Sequence, residues 1–400
     1  MSTPYHRYLF VFVVCASVYF LILYTPDKGG NLFTVEDLGG TEVVQEGRLG
    51  QQNYTRTIVG IGDLHGDLPN ALKVLKMTNV IDDDNNWSGK IGKKQVERVS
   101  TTADDYSGDD TIALYKLMEK LREQAPRKGG LFLSTLGNHE VMNAIGDWRY
   151  VYNSEIKTFG GVEARQAALS STGWLGKAWA QNYTITNRLP LHPSLGSPNT
   201  DHNPANNDGV SHAALSFVHG GLAPDFPYLT PYPSSINSIG RSLLHKLQTR
   251  PQPPPHPPNP YPGLPASATV AEQYLYDGNG PLWYRGWATE NENEACKKID
   301  DVLKRTGTRR LVMGHTPTFT NVVSRCNGKV IIIDTGISHA YGGVLSGLSI
   351  TYSLSPATPE PMAKHQQRWV ETEKVAAVYE QTTKVLVEET RELVGDYGVY

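Results

Sequence analysis

The sequence lacks an excess of basic residues. It contains 37 lysines and arginines against 40 aspartates and glutamates, which gives a formal net charge of -3. Proteins that bind nucleic acid through its phosphates normally carry a surplus of positive charge. We therefore expect no DNA or RNA partner for this chain.

Cysteine is also scarce, with three residues in the 400. Cys15 lies inside an apolar run, so Cys296 and Cys326 are the only pair that could form a disulfide. A disulfide needs Cα atoms within about 7 Å of each other, and sequence spacing does not supply that distance. Whether the two cysteines pair stays open at this point.

Long uncharged apolar runs are missing except for one near the N-terminus, from Leu9 to Tyr24. It approaches the roughly 20 residues that span a bilayer, and no small-residue cleavage site follows it. A buried core helix is the weaker alternative, because the run has no polar face. With Arg7 before it, the run predicts a signal anchor at 1–28 and a single-pass membrane protein with a lumenal or extracellular body; secretion is the alternative. Three glycosylation sequons agree with that location, at Asn53, Asn86 and Asn182.

After the polar, glycine-rich linker at 29–54, short β-branched runs alternate with glycine-containing polar clusters. Runs of four to eight apolar residues bounded by glycine fit strands that are buried on both faces. Segments with helical spacing, such as "TIALYKLMEKLREQA", lie between several of them. The pattern predicts one α/β domain over 55–355. The runs are "RTIVGIGDLHGD", "GLFLSTLGNHE", "ALSFVHGG", "RRLVMGHTP" and "KVIIIDTGIS".

Two further segments differ from this pattern. Residues 251–265, "PQPPPHPPNPYPGLP", contain too many prolines for a helix or a strand interior, so we expect an extended surface insertion. Residues 356–400 are charged and rich in helix-forming side chains, which predicts a helical C-terminal tail.

Polar side chains follow four of the predicted strands at the point where each strand ends. Asp63 and His65 follow the first, Asn138 the second, His219 the third and His315 the fourth. One histidine at a strand end is usually a satisfied core or loop residue, but four strand ends that deliver Asp, Asn or His to one sheet edge favour a metal site. Mixed carboxylate, imidazole and amide ligands suit Mn, Fe or Zn better than Ca or Mg.

These ligands are too many for one ion. Two divalent ions about 3.5–4 Å apart could activate a water and hold a phosphate for in-line attack. The sequence therefore predicts a dinuclear centre.

The motifs "GDLHGD", "GNHE", "HGG" and "GHTP" resemble, in their order, the signature of the calcineurin-like metallophosphoesterases, in the phosphoprotein phosphatase branch. The segments "GNHEVMN", "GPLWYRG" and "IDTGISHAYGG" are similar to those of the Shewanella-type protein phosphatases. The resemblance covers about 55–352 and implies a four-layer α/β/β/α sandwich that hydrolyses phosphomonoesters. It also implies roles for individual residues: Asp63 and His65 would bind the first metal, Asn138, His219 and His315 the second, and His139 would be the general acid.

Arg285, in "LWYRGWA", could clamp phosphate oxygens with its guanidinium fork, or it could cover Trp283 or Trp287 at the surface. Tyr341, in "HAYGG", is a weaker active-site candidate. Both interpretations of Arg285 stay open at this point, and Tyr341 stays a candidate.

The chain departs from the family at the motif GDxxDRG. On an ungapped alignment its three functional positions fall on Ala103, Tyr106 and Ser107, with Asp104 one residue from the bridging position. The preceding "KKQVERVSTT" also predicts a poor buried strand, because Glu97 and Arg98 interrupt it. A misassembled gene model around 92–107, a ligand shifted to Asp104 or Asp105, and a true loss of catalysis all explain this departure.

Three functions follow from different classes. The first is a metal-dependent phosphatase that acts on phosphoproteins or small phosphoesters. The second is a hydrolase of nucleotides or dinucleoside polyphosphates, and the third is a catalytically impaired module that binds phosphate or a partner.

Overall fold

The computed structural model describes residues 53–89, 96–101, 109–206, 208–357 and 367–398, with the backbone alone for 96–101. The predicted anchor at 1–28, nearly all of the linker and Asp104 lie outside these residues. The expected single-pass membrane location is corrected, because no helix within the described ranges is long and apolar enough to cross a bilayer.

The strands form two sheets. In the described ranges the strands are β1 (Tyr54–Ile61), β2 (Val96–Thr101), β3 (Gly130–Thr135), β4 (Tyr183–Thr184), β5 (Thr186–Pro190), β6 (Ala214–Val218), β7 (Arg310–Met313), β8 (Val323–Arg325), β9 (Val330–Ile332), β10 (Ser346–Pro356), β11 (Arg368–Tyr379) and β12 (Thr383–Val394). One sheet has the order β12-β11-β10-β1-β2-β3-β4, and the other has the order β5-β6-β7-β9-β8.

The helices connect these strands. They are α1 (Leu68–Met77), α2 (Thr111–Arg127), α3 (Asn138–Ile145), α4 (Asn153–Thr158), α5 (Val162–Leu169), α6 (Trp174–Asn182), α7 (Ser234–Thr249), α8 (Val270–Tyr276), α9 (Gly286–Thr289) and α10 (Glu292–Thr306), with a 3-10 turn at Pro193–Leu195. The strands and helices predicted between residues 56 and 338 are confirmed, and the overall α/β class with them.

Parallel strands lie at the centre of each sheet. Strands β1, β2 and β3 are parallel neighbours, and so are β6, β7 and β9. Side chains on β1 alternate between two environments, as the two-residue period of a strand requires. Ile58 packs with Phe217 and Ile350 between the sheets, whereas Val59 packs with residues from the helices. The sheets therefore form the two inner layers and the helices the outer ones.

Strand β2 corrects the prediction that "KKQVERVSTT" is a poor strand. Val99 of β2 pairs with Gly60 on one side and with Leu133 on the other, so β2 occupies a central position. A strand in such a position gains backbone hydrogen bonds along both edges. That pairing offsets the charged residues that interrupt its apolar pattern.

The predicted helical tail at 356–400 is wrong, because β11 and β12 form a hairpin that extends the first sheet. The inward face of β11 includes Glu371 and Glu373, each about 1% exposed. Arg310 Nε lies 2.6 Å from Glu373 Oε1, and Arg309 Nη2 lies 2.8 Å from Glu371 Oε1. These buried ion pairs place charged residues where a strand normally has apolar ones, so the alternating pattern was hidden in the sequence.

Two other predictions concern loops and cysteines. Residues 251–265 contain neither a helix nor a strand, and His256 exchanges backbone hydrogen bonds with Gly146 and Trp148 next to the end of α3. Cys296 and Cys326 form a disulfide, which settles the question that the sequence left open. It joins α10 to the turn between β8 and β9.

Candidate functional site

The first turn of α3 is fixed immediately after β3. Gly137 is extended, and its backbone N–H donates to Glu140 Oε2 at 2.7 Å, which is the glutamate half of a capping box. The other carboxylate oxygen of Glu140 accepts from the Tyr115 hydroxyl at 3.1 Å. Asn138 and His139 therefore begin the helix in a fixed orientation.

Two candidate ligands have unusual backbone conformations. His65 has φ of 46° and His315 has φ of 65°, both in the left-handed region that residues other than glycine rarely adopt. Such strain costs on the order of 1–3 kcal/mol and concentrates at functional sites. A side chain at Gly314 would lie 2.4 Å from Asp63 Oδ1, so only glycine lets these two loops approach so closely.

Three candidate ligands converge. His219 Nε2 lies 2.6 Å from Asn138 Oδ1 and 3.0 Å from His315 Nδ1. All three residues are at most 6% exposed. One imidazole nitrogen can donate at most one proton, so it cannot satisfy both neighbours. Three lone-pair atoms at this spacing match the ligands of one metal ion.

Asp63 joins this cluster. Its Oδ2 accepts from the backbone N–H of His315 at 2.9 Å, and its Oδ1 lies 3.6 Å from His219 Nδ1. Within the described ranges, Asp63 Oδ1 and His315 Nε2 are buried without a hydrogen-bond partner. Buried polar atoms rarely stay unsatisfied, and a bound cation would satisfy the carboxylate oxygen. The donor set therefore fits divalent metal ions.

The electrostatics support the same conclusion. Burial lowers the pKa of His65 to about 4 and that of His315 to about 2. Burial alone would raise the pKa of Asp63, but the facing His219 and His65 and the His315 N–H outweigh it and hold that pKa below its usual value. Neutral imidazoles and an ionised carboxylate are the protonation states that metal binding requires.

His139 lies beside this cluster and is 8% exposed. Its ring is 5.9 Å from that of His65 and stacks on Tyr150, with centroids 5.1 Å apart and an interplanar angle of 12°. Burial, and then the neighbouring His65 and His219, lower the pKa of His139 well below its usual value. The ring is therefore held in place between two aromatic neighbours.

Arg285 lies at the rim of the cluster. Its Nη1 donates to the backbone oxygen of His315 and to Thr316 Oγ1, the latter at 3.1 Å. Trp283 contacts the His315 ring edge to face, with centroids 5.6 Å apart. The Arg285 guanidinium is therefore hydrogen-bonded to a candidate ligand. An arginine that only covered a tryptophan at the surface would not need this contact.

The structure adds residues that sequence reasoning missed or ranked low. Tyr341 lies against His65, with ring centroids 4.6 Å apart. Asp334 is 2% exposed, and burial together with the adjacent Asp63 raises its pKa. Asp334 also follows a buried strand, so the strand-end signal that selected the other ligands was present in "IDTG". Tyr150 had no such signal.

The structure brings together Asp63, His65, Asn138, His139, His219 and His315, with Arg285 at the edge. Asp104 lies outside the described residues, so its role as a bridging ligand remains a prediction.

The comparisons with known proteins agree with this geometry. The chain is 33% identical over 303 residues to an uncharacterized protein of Schizosaccharomyces pombe, covering 74% of this chain and 78% of the other. It is 26% identical over 319 residues to Shewanella-like protein phosphatase 2 of Arabidopsis thaliana, covering 70% and 71%.

Among solved structures, a cold-active protein-tyrosine phosphatase of a psychrophilic Shewanella species matches with a TM-score of 0.55 and 22% identity, covering 82% of this chain and 80% of the other. At that identity the match shows the fold alone. No family model matches the chain. The chain belongs to the calcineurin-like metallophosphoesterases and resembles, among them, the Shewanella-like protein phosphatases.

Proposed function

We propose that this protein is a metal-dependent phosphatase that hydrolyses phosphomonoesters on proteins. The observation that carries the proposal is the convergence of Asn138 Oδ1, His219 Nε2 and His315 Nδ1 beside the unpartnered Oδ1 of Asp63. A purely structural cluster would pair these atoms with donors. Here the buried atoms are predominantly acceptors, which suits cations.

Phosphatases of this superfamily use divalent metals. We assign Asp63 and His65 to a first ion and Asn138, His219 and His315 to a second, with Mn, Fe or Zn as the ions that such a mixed donor set favours. When bound, the two ions would activate the attacking water and neutralise the phosphate.

Two further roles, proton donation and phosphate binding, fall to side chains other than the proposed metal ligands. His139 would donate a proton to the leaving oxygen of the substrate. Burial keeps its free ring neutral at pH 7, but a phosphate dianion beside it would favour the protonated form. Stacking on Tyr150 holds the ring in the orientation that proton transfer needs.

Arg285 would bind the phosphate. Its Nη1 is held by His315 and Thr316, and in the described part of the chain its other guanidinium nitrogens make no hydrogen bond. A guanidinium held in this way presents its remaining donors to phosphate oxygens with little loss of side-chain entropy.

The substrate class rests on the relatives, two of which are named Shewanella-like protein phosphatases.

The segment at 100–108 sets the level of activity. Asp104 is our candidate for the bridging carboxylate, but it stands one residue from the family's position and would separate the two cations less well, and with Ser107 in place of an arginine the phosphate would lose one contact. We expect weak activity from the chain as it stands.

The test is hydrolysis by the purified full chain with added Mn²⁺. Phosphopeptides, nucleotides and an aryl phosphate are compared for the unmodified chain and for a variant with 100–108 replaced by "QTGDIVDRG". We expect phosphopeptides to be preferred and the replacement to raise the rate at least about 10²-fold, as expected for restored electrostatic groups. A preference for nucleotides, or no activity in either chain, would refute the proposal.

A further inference from the structure

The loop between α3 and α4 passes beside His139 and is firmly held. Trp148 is 4% exposed, its Nε1 donates to Asn143 O at 3.1 Å, and its backbone N–H donates to His256 O at 2.7 Å. The guanidinium of the buried Arg165 lies 4.4 Å from the centre of the Trp148 ring. The residues that follow Trp148 therefore project from a fixed base.

Arg149 is the residue that projects. Its Nε donates to Asp147 Oδ1 at 2.9 Å and its Nη2 to Asp147 Oδ2 at 2.8 Å. The Asp147 side chain is 2% exposed and that of Arg149 is 44% exposed. This bidentate pair uses one edge of the guanidinium. Nη1 donates no hydrogen bond within the described ranges.

Two aromatic rings lie close to this guanidinium. Its carbon lies 5.9 Å from the centre of the Tyr150 ring and 5.8 Å from that of Tyr261. Tyr150 is the ring that stacks on His139. One aromatic ring therefore separates Arg149 from the candidate general acid. Tyr261 also lines an open groove of about 660 Å³, together with residues that include Leu264, Tyr274 and Asp277.

We propose that Arg149, Tyr150 and Tyr261 form an anion-binding subsite for an acidic side chain of the substrate, two or three residues from the phosphorylated one. The spacing follows from the width of one aromatic ring and a rise of about 3.5 Å per extended residue. This inference rests on the proposed phosphoprotein phosphatase function. It adds a sequence preference that the metal centre alone does not provide.

The strength of the subsite follows from its charge balance. Asp147 neutralises much of the Arg149 charge, so attraction at long range is weak. An acidic ligand would instead gain a charge-assisted hydrogen bond from Nη1, close to rings that keep water away from part of it. For a half-exposed position we expect a gain in affinity of about two- to fivefold.

The test measures binding, so it does not depend on turnover. Fluorescence anisotropy with the full chain and Mn²⁺ compares phosphonate peptides that are identical except for Glu or Gln at each position from three before to three after the phosphonate. We expect the unmodified chain to prefer Glu at a position two or three residues away. Arg149→Gln should abolish this preference, and Arg149→Lys should keep part of it.

Arg368→Gln is the matched control, because Arg368 is also an exposed arginine paired with a carboxylate, that of Glu392. It should leave the preference for Glu unchanged. Equal binding of Glu and Gln peptides by the unmodified chain, or a preference that survives Arg149→Gln, would overturn the inference.

Hydrolysis of p-nitrophenyl phosphate by the unmodified chain is measured in parallel. If it occurs without discrimination between peptides, the subsite alone is refuted; if no peptide binds and neither this chain nor the variant with 100–108 replaced hydrolyses the aryl phosphate, the proposed function is refuted as well.

Discussion

Replacing Asn138 with alanine should separate metal binding from folding. In the metal-free protein the Asn138 side chain makes a close polar contact between Oδ1 and His219 Nε2 at 2.6 Å, and a weak hydrogen bond from Nδ2 to Met142 Sδ at 3.9 Å. Losing one such hydrogen bond costs about 1 kcal/mol. A specific entropy of unfolding of about 2.1 cal/mol/K per residue gives roughly 0.8 kcal/mol/K for a chain of 400 residues. The metal-free Tm should therefore fall by only about 1 °C.

The metal response should change much more. An ion at a hundred times its Kd stabilises the folded state by about 2.7 kcal/mol, which corresponds to a rise in Tm of roughly 3 °C for this chain. Asn138→Ala removes one of three ligands of the second ion, so the part of the Mn²⁺-dependent rise due to that ion should disappear. The bound metal should fall by one ion per chain.

The assay is a thermal melt with and without Mn²⁺, together with metal analysis after gel filtration. Asn187→Ala is the matched control, because Asn187 is a fully buried asparagine on β5 whose Oδ1 accepts from Asn199. It should lower Tm and leave the response to Mn²⁺ intact. If Asn138→Ala lowered the metal-free Tm by more than about 5 °C and kept the full response, Asn138 would be a structural residue and the ligand assignment would be wrong.

Three further outcomes are expected. His139→Gln should lower hydrolysis of an alkyl phosphate by about 10²–10⁴-fold but that of an activated aryl phosphate much less, whereas equal losses on both substrates would contradict the general-acid role. Replacing Cys296 and Cys326 together with serine should lower the free energy of unfolding by about 3–4 kcal/mol, because the disulfide closes a 30-residue separation; an unchanged denaturation midpoint would contradict this. Glu373→Ala should destabilise by about 3 kcal/mol in the same denaturation assay, the low end for breaking a buried ion pair, because it removes one of the two carboxylates that pair with Arg310 and leaves only that of Glu389; a loss below about 1 kcal/mol would show that the pair with Glu373 is dispensable.

The candidate ligands were predictable because each one follows a strong local pattern. A short apolar run followed at once by a glycine-containing cluster with Asp, Asn or His marks a strand end in a parallel sheet, and the carboxyl ends of such strands meet at one edge. Asp63, Asn138, His219 and His315 were found in this way. The orientation of Asn138 was also predictable, because the glutamate of "GNHE" caps the same helix.

The residues that sequence reasoning missed depend on contacts between distant segments. Tyr150 reaches His139 because the loop after α3 is held by Trp148, and no local pattern indicates that contact. The strand character of β11 was hidden because Glu371 and Glu373 point inward toward arginines of β7 and its N-terminal flank. An inward carboxylate cannot be told from a solvated one until its partner is known.

The ion pairs between β11 and β7 also decide where this catalytic domain ends. Arg310 begins β7, and β7 leads directly to His315. A fragment that stopped at residue 355, the boundary that the motifs alone indicate, would retain every candidate ligand but would leave Arg309 and Arg310 without their carboxylates. We therefore expect the shortest stable unit for production, for fusion to another protein or for exchange between relatives to extend through Val394, with the final hairpin as part of the catalytic domain.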